Sequence, residues 1–226
     1  MKKVTRLPLN PDCLSRYNHV TDKWRSKSEP GLPRIPSEAD REQLWEEFNR
    51  MQHNNCAYCE AALDARSHIE HFAKREARPD LTFEWTNLFG SCSRQDCCGH
   101  FKDSQHSNYS SYRLQDLIKP DDENPWDYLV FGSDGRVSVR DGISSTARKK
   151  GQTTIDVLNL NAPHHIPERI SRYGLISQLL PFLEELTADE FFSICEEEIH
   201  ALLPYLSTYT SAAFQHLPPQ VLCRFS

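Results

Sequence analysis

The chain has 226 residues, of which 38% are hydrophobic and 26% charged, and its formal net charge is −6. Its longest apolar runs, such as Tyr128 to Phe131, fall far short of the roughly 18 residues that a membrane-spanning helix needs. The N-terminal MKKVTRLPLNPD has two lysines but no apolar stretch behind them, which argues against a secretory signal, and we expect a cytoplasmic protein.

Charge is distributed unevenly along the chain. Residues 1–34 contain eight Lys or Arg against three acidic residues, whereas residues 151–226 contain three against nine. Because a net negative chain attracts polyanions poorly, contact with nucleic acid needs local basic patches or a basic partner. The first 36 residues also hold five prolines, so we expect residues 1–36 to form an extended basic arm with a short helix near Ser15 to Lys23.

A helix is predicted to begin after Ser37. Serine is a preferred N-cap residue, and the apolar residues that follow recur at helical spacing. They are Leu44, Trp45, Phe48 and Met51.

Two β signals follow. Leu81, Phe83 and Trp85 alternate with polar residues, as in a short half-buried strand. The Asp134-Gly135 pair lies between two β-prone runs and predicts a hairpin within residues 126–142.

Helices are predicted again after Gly151. Ile166 to Leu186 is one candidate, and Thr187–Glu190 has the spacing of a capping box before another apolar series. The pattern as a whole predicts an α+β fold. We expect an arm (1–36), a helix with a cysteine-rich core (37–110) and a C-terminal region of a hairpin and helices (111–226).

Five of the eight cysteines lie within 43 residues, at positions 56, 59, 92, 97 and 98. In a reducing compartment, such a cluster indicates metal binding rather than disulfides. A CxxC pair with a second set 33 residues later suits a structural Zn²⁺ with four sulfur ligands. Cys56, Cys59 and Cys92 are three of the expected ligands. The fourth is Cys97 or Cys98, which spacing alone does not decide, and we assign Cys98 provisionally.

The cluster is interleaved with other chemistry-bearing residues, in the order CAYCE, SHIEHF, EWTNLFGSC and CCGHFKD. In this respect the chain resembles the HNH endonucleases with a zinc-stabilised ββα-metal (His-Me finger) fold. It is most similar to the HNH subunits of Septu-type and retron-associated anti-phage systems. The motifs that carry this resemblance span residues 56–103.

The resemblance implies a nuclease whose signature positions are His71, Asn87 and His100. An imidazole that titrates near neutral pH suits His71 as general base. Glu70 and His100 are implied ligands of a catalytic Mg²⁺ or Mn²⁺ ion. Asn87 would position the loop that carries the base, and Lys102 would contact phosphate. The implied partners are a nucleic-acid substrate, an ABC/SMC-like ATPase and, in retron forms, a reverse transcriptase with its RNA–DNA hybrid.

Two alternatives remain open at this point. Successive residues of a regular strand face opposite sides, so Glu70 and His71 can reach one phosphate only if the strand ends, twists or bulges there. Otherwise His68 and Glu70 would be the metal pair, and His71 would be structural. At the level of function, a zinc-binding module that recognises nucleic acid or protein without cleaving it explains the cysteines equally well. A zinc hydrolase is a weaker third reading.

Overall fold

The computed structural model describes residues 1–6, 11–26, 31–104, 112–171 and 173–174. The helices are α1 (Glu38–Gln52), α2 (Cys98–Asp103) and α3 (Ser145–Val157), and residues 165–171 are also helical. The strands are β1 (His68–His71), β2 (Leu88–Ser91), β3 (Leu129–Phe131) and β4 (Val137–Val139). They form two separate antiparallel pairs, β1–β2 and β3–β4, so the predicted α+β class is confirmed.

Helix α1 begins where the sequence predicts. The Ser37 hydroxyl accepts a hydrogen bond from the amide of Asp40, which satisfies one of the free donors of the first turn. The helix ends at His53 in the left-handed conformation. Its Leu44 and Phe48 side chains are fully buried, and the Phe48 ring stacks on Trp85 with centroids 5.1 Å apart. This contact joins α1 to the segment before β2.

Strands β1 and β2 pair without a bulge. The register runs from His68 opposite Ser91 to His71 opposite Leu88, with one residue facing one residue throughout. Helix α2 follows β2 after a short loop, so the chain order is strand, strand, helix. Because the pairing is regular, His68 and Glu70 lie on one face of β1, and Ile69 and His71 lie on the other.

Two predicted elements differ in the structure. Leu81 to Trp85 is not a strand, since the segment forms the short 3₁₀ helices Pro79–Leu81 and Trp85–Asn87. Phe83 and Trp85 are nonetheless buried, so their spacing reflects loop packing rather than a pleat. The predicted helix near Ser15 to Lys23 is replaced by a 3₁₀ turn at Asp12–Arg16. There the Asn18 side chain accepts the amide of Val20, a local bond that competes with helix formation.

The beginning of the N-terminal arm is packed onto the fold. Val4 donates its amide to the carbonyl of Pro120 at 2.8 Å. Arg6 donates to the backbone carbonyls of Trp85 and Leu88 and pairs with Asp121 at 2.7 Å. The charge of Arg6 is therefore used inside the protein rather than offered to a ligand.

The C-terminal hairpin is present as β3 and β4, with Gly135 in the turn at a φ of 77°. Helical residues 165–171 agree with the start of the helix predicted from Ile166, but the remainder of that helix and the capping box at Thr187–Glu190 lie outside the described residues. Within the part of the chain that is described, no helix combines the length and the apolar character needed to cross a bilayer.

Candidate active site and metal centre

The four cysteines assigned to the metal site converge. The Sγ atoms of Cys56, Cys59, Cys92 and Cys98 all lie within 4.8 Å of one another, and all four side chains are buried. The Sγ atoms of Cys59 and Cys92 are 3.8 Å apart. A tetrahedron with Zn–S bonds of about 2.3 Å has edges of about 3.8 Å, so this spacing suits a zinc ion.

Backbone hydrogen bonds fix the two loops that carry these sulfurs. The Cys56 amide donates to the carbonyl of Ala61, and the Ala57 amide donates to the carbonyl of Gly90 in β2. Cys92 follows β2 directly. Cys98 begins α2 with a φ of 55°, a conformation that turns its side chain towards the cluster while its amide donates to Leu158.

Cys97 also belongs to this neighbourhood. It is completely buried, and its Sγ lies 3.8 Å from that of Cys92. It is not among the four sulfurs that are mutually close, which favours Cys98 as the fourth ligand.

A second cluster lies on the face of β1 that meets α2. Nε2 of His68 is 3.5 Å from Oε2 of Glu70, and the His68 ring stacks on His100 with centroids 3.7 Å apart. Gly99 allows this approach, because a Cβ at that position would lie 2.3 Å from Oε2 of Glu70. The Nδ1 atom of His68 is buried without a hydrogen-bond partner among the described residues.

Glu70 is neutralised by a buried lysine. Nζ of Lys102 lies 2.8 Å from Oε1 of Glu70 and donates to the carbonyl of His71 and to Asp103. Burial by itself raises the pKa of Glu70, but the Lys102 ammonium and the His68 ring outweigh it and lower the pKa to about 2. The carboxylate is therefore ionised at neutral pH.

His71 lies on the opposite face of β1. Its Nε2 is 3.0 Å from the carbonyl of Thr82, and the edge of the ring meets Trp24 with centroids 4.5 Å apart. Burial, helped by the charge of Arg75, lowers the pKa of His71 to about 4, so the ring is neutral near pH 7. Since a carbonyl only accepts, Nε2 carries the proton in this bond and Nδ1 retains the lone pair.

Asn87 fixes the segment that follows His71. Its Oδ1 accepts the amide of Ala73 at 2.7 Å, and its Nδ2 donates to the carbonyls of Ala73 and Leu81. The contact predicted for Asn87, from its amide to the backbone of the loop beside the base, is therefore present. Its role in catalysis stays a prediction.

Comparison with known proteins finds two relatives that are similar to about half of this chain. "Septu protein PtuB" of Bacillus thuringiensis is 32% identical over 120 residues, which are 49% of this chain and 38% of that protein. "Retron Vc95 putative HNH endonuclease" of Vibrio cholerae serotype O1 biovar El Tor is 27% identical over 130 residues, 54% of this chain and 59% of that protein. The resemblance to HNH defence proteins is confirmed. No protein-family model matches the chain. The chain spans less than two thirds of the length of either relative.

One expectation for the HNH positions needs correction, and a second stays a prediction. Lys102 is not available as a phosphate contact, because it is completely buried and its ammonium is occupied by Glu70, Asp103 and a backbone carbonyl. The regular pairing of β1 with β2 places His71, the last residue of the strand, on the face opposite Glu70, so its convergence with Glu70 and His100 on one ion stays a prediction. His68 contacts Glu70 on the shared face, as in the second arrangement that the sequence left open, and which pair would bind the ion also stays a prediction.

Sequence reasoning missed several contributors to the site. Asp103 follows Lys102 in the quoted CGHFKD motif and was available from it as a second acceptor for the ammonium. Trp24 and the Thr82 carbonyl had no local signal, because they meet His71 only through the folded arm and loop. Among the described residues, Glu70, His68 and His100 do not form a group with all ligand atoms within 4.8 Å; the three such groups are all built on cysteines.

Proposed function

We propose that the chain is a metal-dependent HNH endonuclease that hydrolyses phosphodiester bonds in DNA or RNA as the effector of an anti-phage defence system. One observation carries this proposal. The β1–β2–α2 unit brings His68 into contact with both Glu70 and His100 beside a buried four-cysteine cluster, an arrangement that is compatible with a zinc-stabilised ββα-metal nuclease. The Septu and retron names of the two relatives support the defence context.

The donor sets fit the two kinds of ion that such a nuclease needs. Four buried thiols suit a structural Zn²⁺ at Cys56, Cys59, Cys92 and Cys98, and four sulfurs leave no open position for zinc hydrolysis. An ionised carboxylate suits Mg²⁺ or Mn²⁺, and Glu70, with His100 as a second ligand, would hold that ion. When bound, that ion supplies electrostatic stabilisation of the phosphate and the leaving oxygen.

The general base has two candidates. His71 is neutral near pH 7 and has a free lone pair on Nδ1, and Asn87 fixes the backbone immediately after it. These features support the role implied by the HNH resemblance. His68 is favoured by a different observation, since it shares the face of Glu70 and its Nδ1 has no partner among the described residues. We assign the role of general base to His71 and test both histidines.

The proposed partners follow from the same resemblance. They are an ABC/SMC-like ATPase and, if the chain serves a retron, a reverse transcriptase with its RNA–DNA hybrid. The net charge of −6 supports recruitment by a partner, because a negative chain has little electrostatic attraction of its own for nucleic acid.

The test is cleavage of plasmid DNA, tRNA and messenger RNA by the full chain, with Mg²⁺ or Mn²⁺, in the presence and absence of the ATPase. Glu70→Gln and His100→Ala should each lower cleavage by at least about 100-fold while the zinc content is unchanged. Glu46→Gln, at an exposed position of α1, and His19→Ala, at an exposed position of the arm, are matched controls that should keep full activity.

The base is identified by comparing His71→Ala with His68→Ala. Loss of cleavage in His71→Ala, with cleavage retained in His68→Ala, supports His71 as the base. The reverse result transfers the role to His68. Equal retention in both variants would contradict a histidine base on β1.

The second candidate function is a zinc-binding module that recognises nucleic acid or protein without cleaving it. It is favoured by the burial of Glu70 and its ion pair with Lys102, which occupies one carboxylate oxygen. This function predicts no cleavage by the wild-type chain with the ATPase present, and unchanged ligand binding in Glu70→Gln. Ion-dependent cleavage would therefore support the nuclease, and its absence would support the binding module.

A further inference from the structure

Cys97 is a fifth thiol that a single zinc ion leaves unused. A tetrahedral ion takes four ligands, and Cys56, Cys59, Cys92 and Cys98 supply them. Cys97 is completely buried, so neither solvent nor a substrate reaches its sulfur, which argues against a nucleophilic role. A buried thiol in contact with a metal-binding cluster needs another explanation.

Two neighbouring histidines face this thiol. A ring nitrogen of His165 lies within 4.8 Å of the Sγ atoms of both Cys97 and Cys98. His165 is only 2% exposed, and its Nε2 has no hydrogen-bond partner among the described residues. Because burying an unpaired ring nitrogen is costly, such an atom beside two thiols indicates a missing partner.

The second histidine is already oriented. Nε2 of His164 lies 3.7 Å from Sγ of Cys97, while its Nδ1 is 3.1 Å from a carboxylate oxygen of Asp96. A carboxylate on the far nitrogen is the usual partner of a zinc-bound histidine. Zn–S and Zn–N bonds of about 2.3 and 2.0 Å give a tetrahedral S–N edge of about 3.5 Å, close to the observed separation.

We propose that Cys97, Cys98 and His165 bind a second Zn²⁺ next to the four-cysteine ion, with the thiolate of Cys98 shared between the two. His164 is available for the fourth position. Charge favours this arrangement. One Zn²⁺ with four thiolates leaves two negative charges in a buried cluster. A second Zn²⁺ that binds Cys97 as one further thiolate reduces that net charge from −2 to −1.

The second ion would connect two parts of the fold. Cys97 and Cys98 open α2, whereas His164 and His165 follow α3. These segments already meet through the Cys98 amide, which donates to Leu158, and through Asn159, which donates to the carbonyl of Asp96. A metal at this junction would fasten the segment after α3 to the cysteine cluster independently of whether the chain cleaves nucleic acid.

The test is the metal content of the purified full chain. The wild type should contain two zinc ions per chain, and His165→Ala and Cys97→Ser should each contain one. Cys13→Ser, which changes a buried cysteine outside the cluster, and His19→Ala are matched controls that should retain two. One ion in the wild type, or two ions in His165→Ala, would overturn the proposal.

A measurement on the unmodified protein covers the case in which a variant fails to fold. After replacement of zinc by ¹¹³Cd, the wild type should show two cadmium resonances, one from an all-sulfur site and one from a mixed sulfur and nitrogen site. A single all-sulfur resonance would contradict the second site. Because neither measurement depends on cleavage, failure here is distinct from failure of the nuclease proposal.

Discussion

Lys102 compensates the buried charge of Glu70, and Lys102→Met tests how much stability depends on that compensation. Nζ lies 2.8 Å from Oε1, and the two side chains are 0% and 2% exposed. Removing one partner of a buried pair leaves the other charge without compensation, which typically costs about 3–5 kcal/mol. The methionine fills a similar volume, so packing changes little.

The pKa of Glu70 supports the same direction of effect. Burial raises this pKa, but the Lys102 ammonium and the His68 ring outweigh burial and lower it to about 2, so the ionised carboxylate depends on its cationic neighbours. For a carboxyl whose pKa is lowered on folding, this stabilisation is complete above pH 4.5 and is lost as the pH falls towards 2. The full effect should therefore appear at pH 7.

The assay is urea unfolding at pH 7 with zinc present, followed by tryptophan fluorescence. Lys102→Met should lower the free energy of unfolding by about 3–5 kcal/mol. Adding Glu70→Gln removes the stranded charge and should restore most of the loss. Lys74→Met is the matched control, since its contact with Asp103 is 4.0 Å long and partly exposed, and it should cost less than about 1 kcal/mol.

A cost below about 1 kcal/mol for Lys102→Met would refute this reasoning. It would mean that water reaches the pair and screens it. Failure of Glu70→Gln to restore stability in the double variant would refute it as well, because the loss would then come from the lysine's packing or its bond to the His71 carbonyl rather than from the unpaired carboxylate.

Three further predictions concern neighbouring residues. Burial lowers the pKa of His71 from 6.5 to about 4, so between these pH values the imidazole is protonated in the unfolded chain but not in the folded one. The free energy of unfolding should therefore fall by up to about 3 kcal/mol from pH 6.5 to pH 4. His71→Gln should flatten this pH dependence in urea unfolding measurements. Asn87→Ala removes three hydrogen bonds to the backbone and should lower the free energy of unfolding by about 2–4 kcal/mol in urea titrations. A loss of less than about 0.5 kcal/mol would contradict the importance of these bonds. Gly99→Ala places a Cβ 2.3 Å from the Glu70 carboxylate and should destabilise by about 1–3 kcal/mol in thermal melts. Gly174→Ala, where a Cβ meets none of the described residues within 4 Å, should be close to neutral.

Local chemistry was sufficient for the elements whose signals lie within a few residues. Ser37 and the apolar spacing after it predicted α1, and Asp134-Gly135 predicted the turn between β3 and β4, because capping and turn geometry depend on adjacent residues. The paired cysteine spacing predicted the cluster, and the interleaved motif predicted the resemblance to HNH proteins. By contrast, the alternation around Phe83 was misleading, because loop residues can be buried without forming a strand.

Only the tertiary structure decided which side chains meet. The sequence left Cys97 and Cys98 equivalent, and the left-handed conformation at Cys98 brings that sulfur among the other three. The sequence also could not fix the face of His71, which depends on whether β1 is regular where it pairs with β2. The resemblance implied a phosphate contact for Lys102, but α2 packs its side chain under β1 against Glu70. Such contacts join residues far apart in the chain, and the energy of burying a charge or a thiol depends on neighbours that only folding provides.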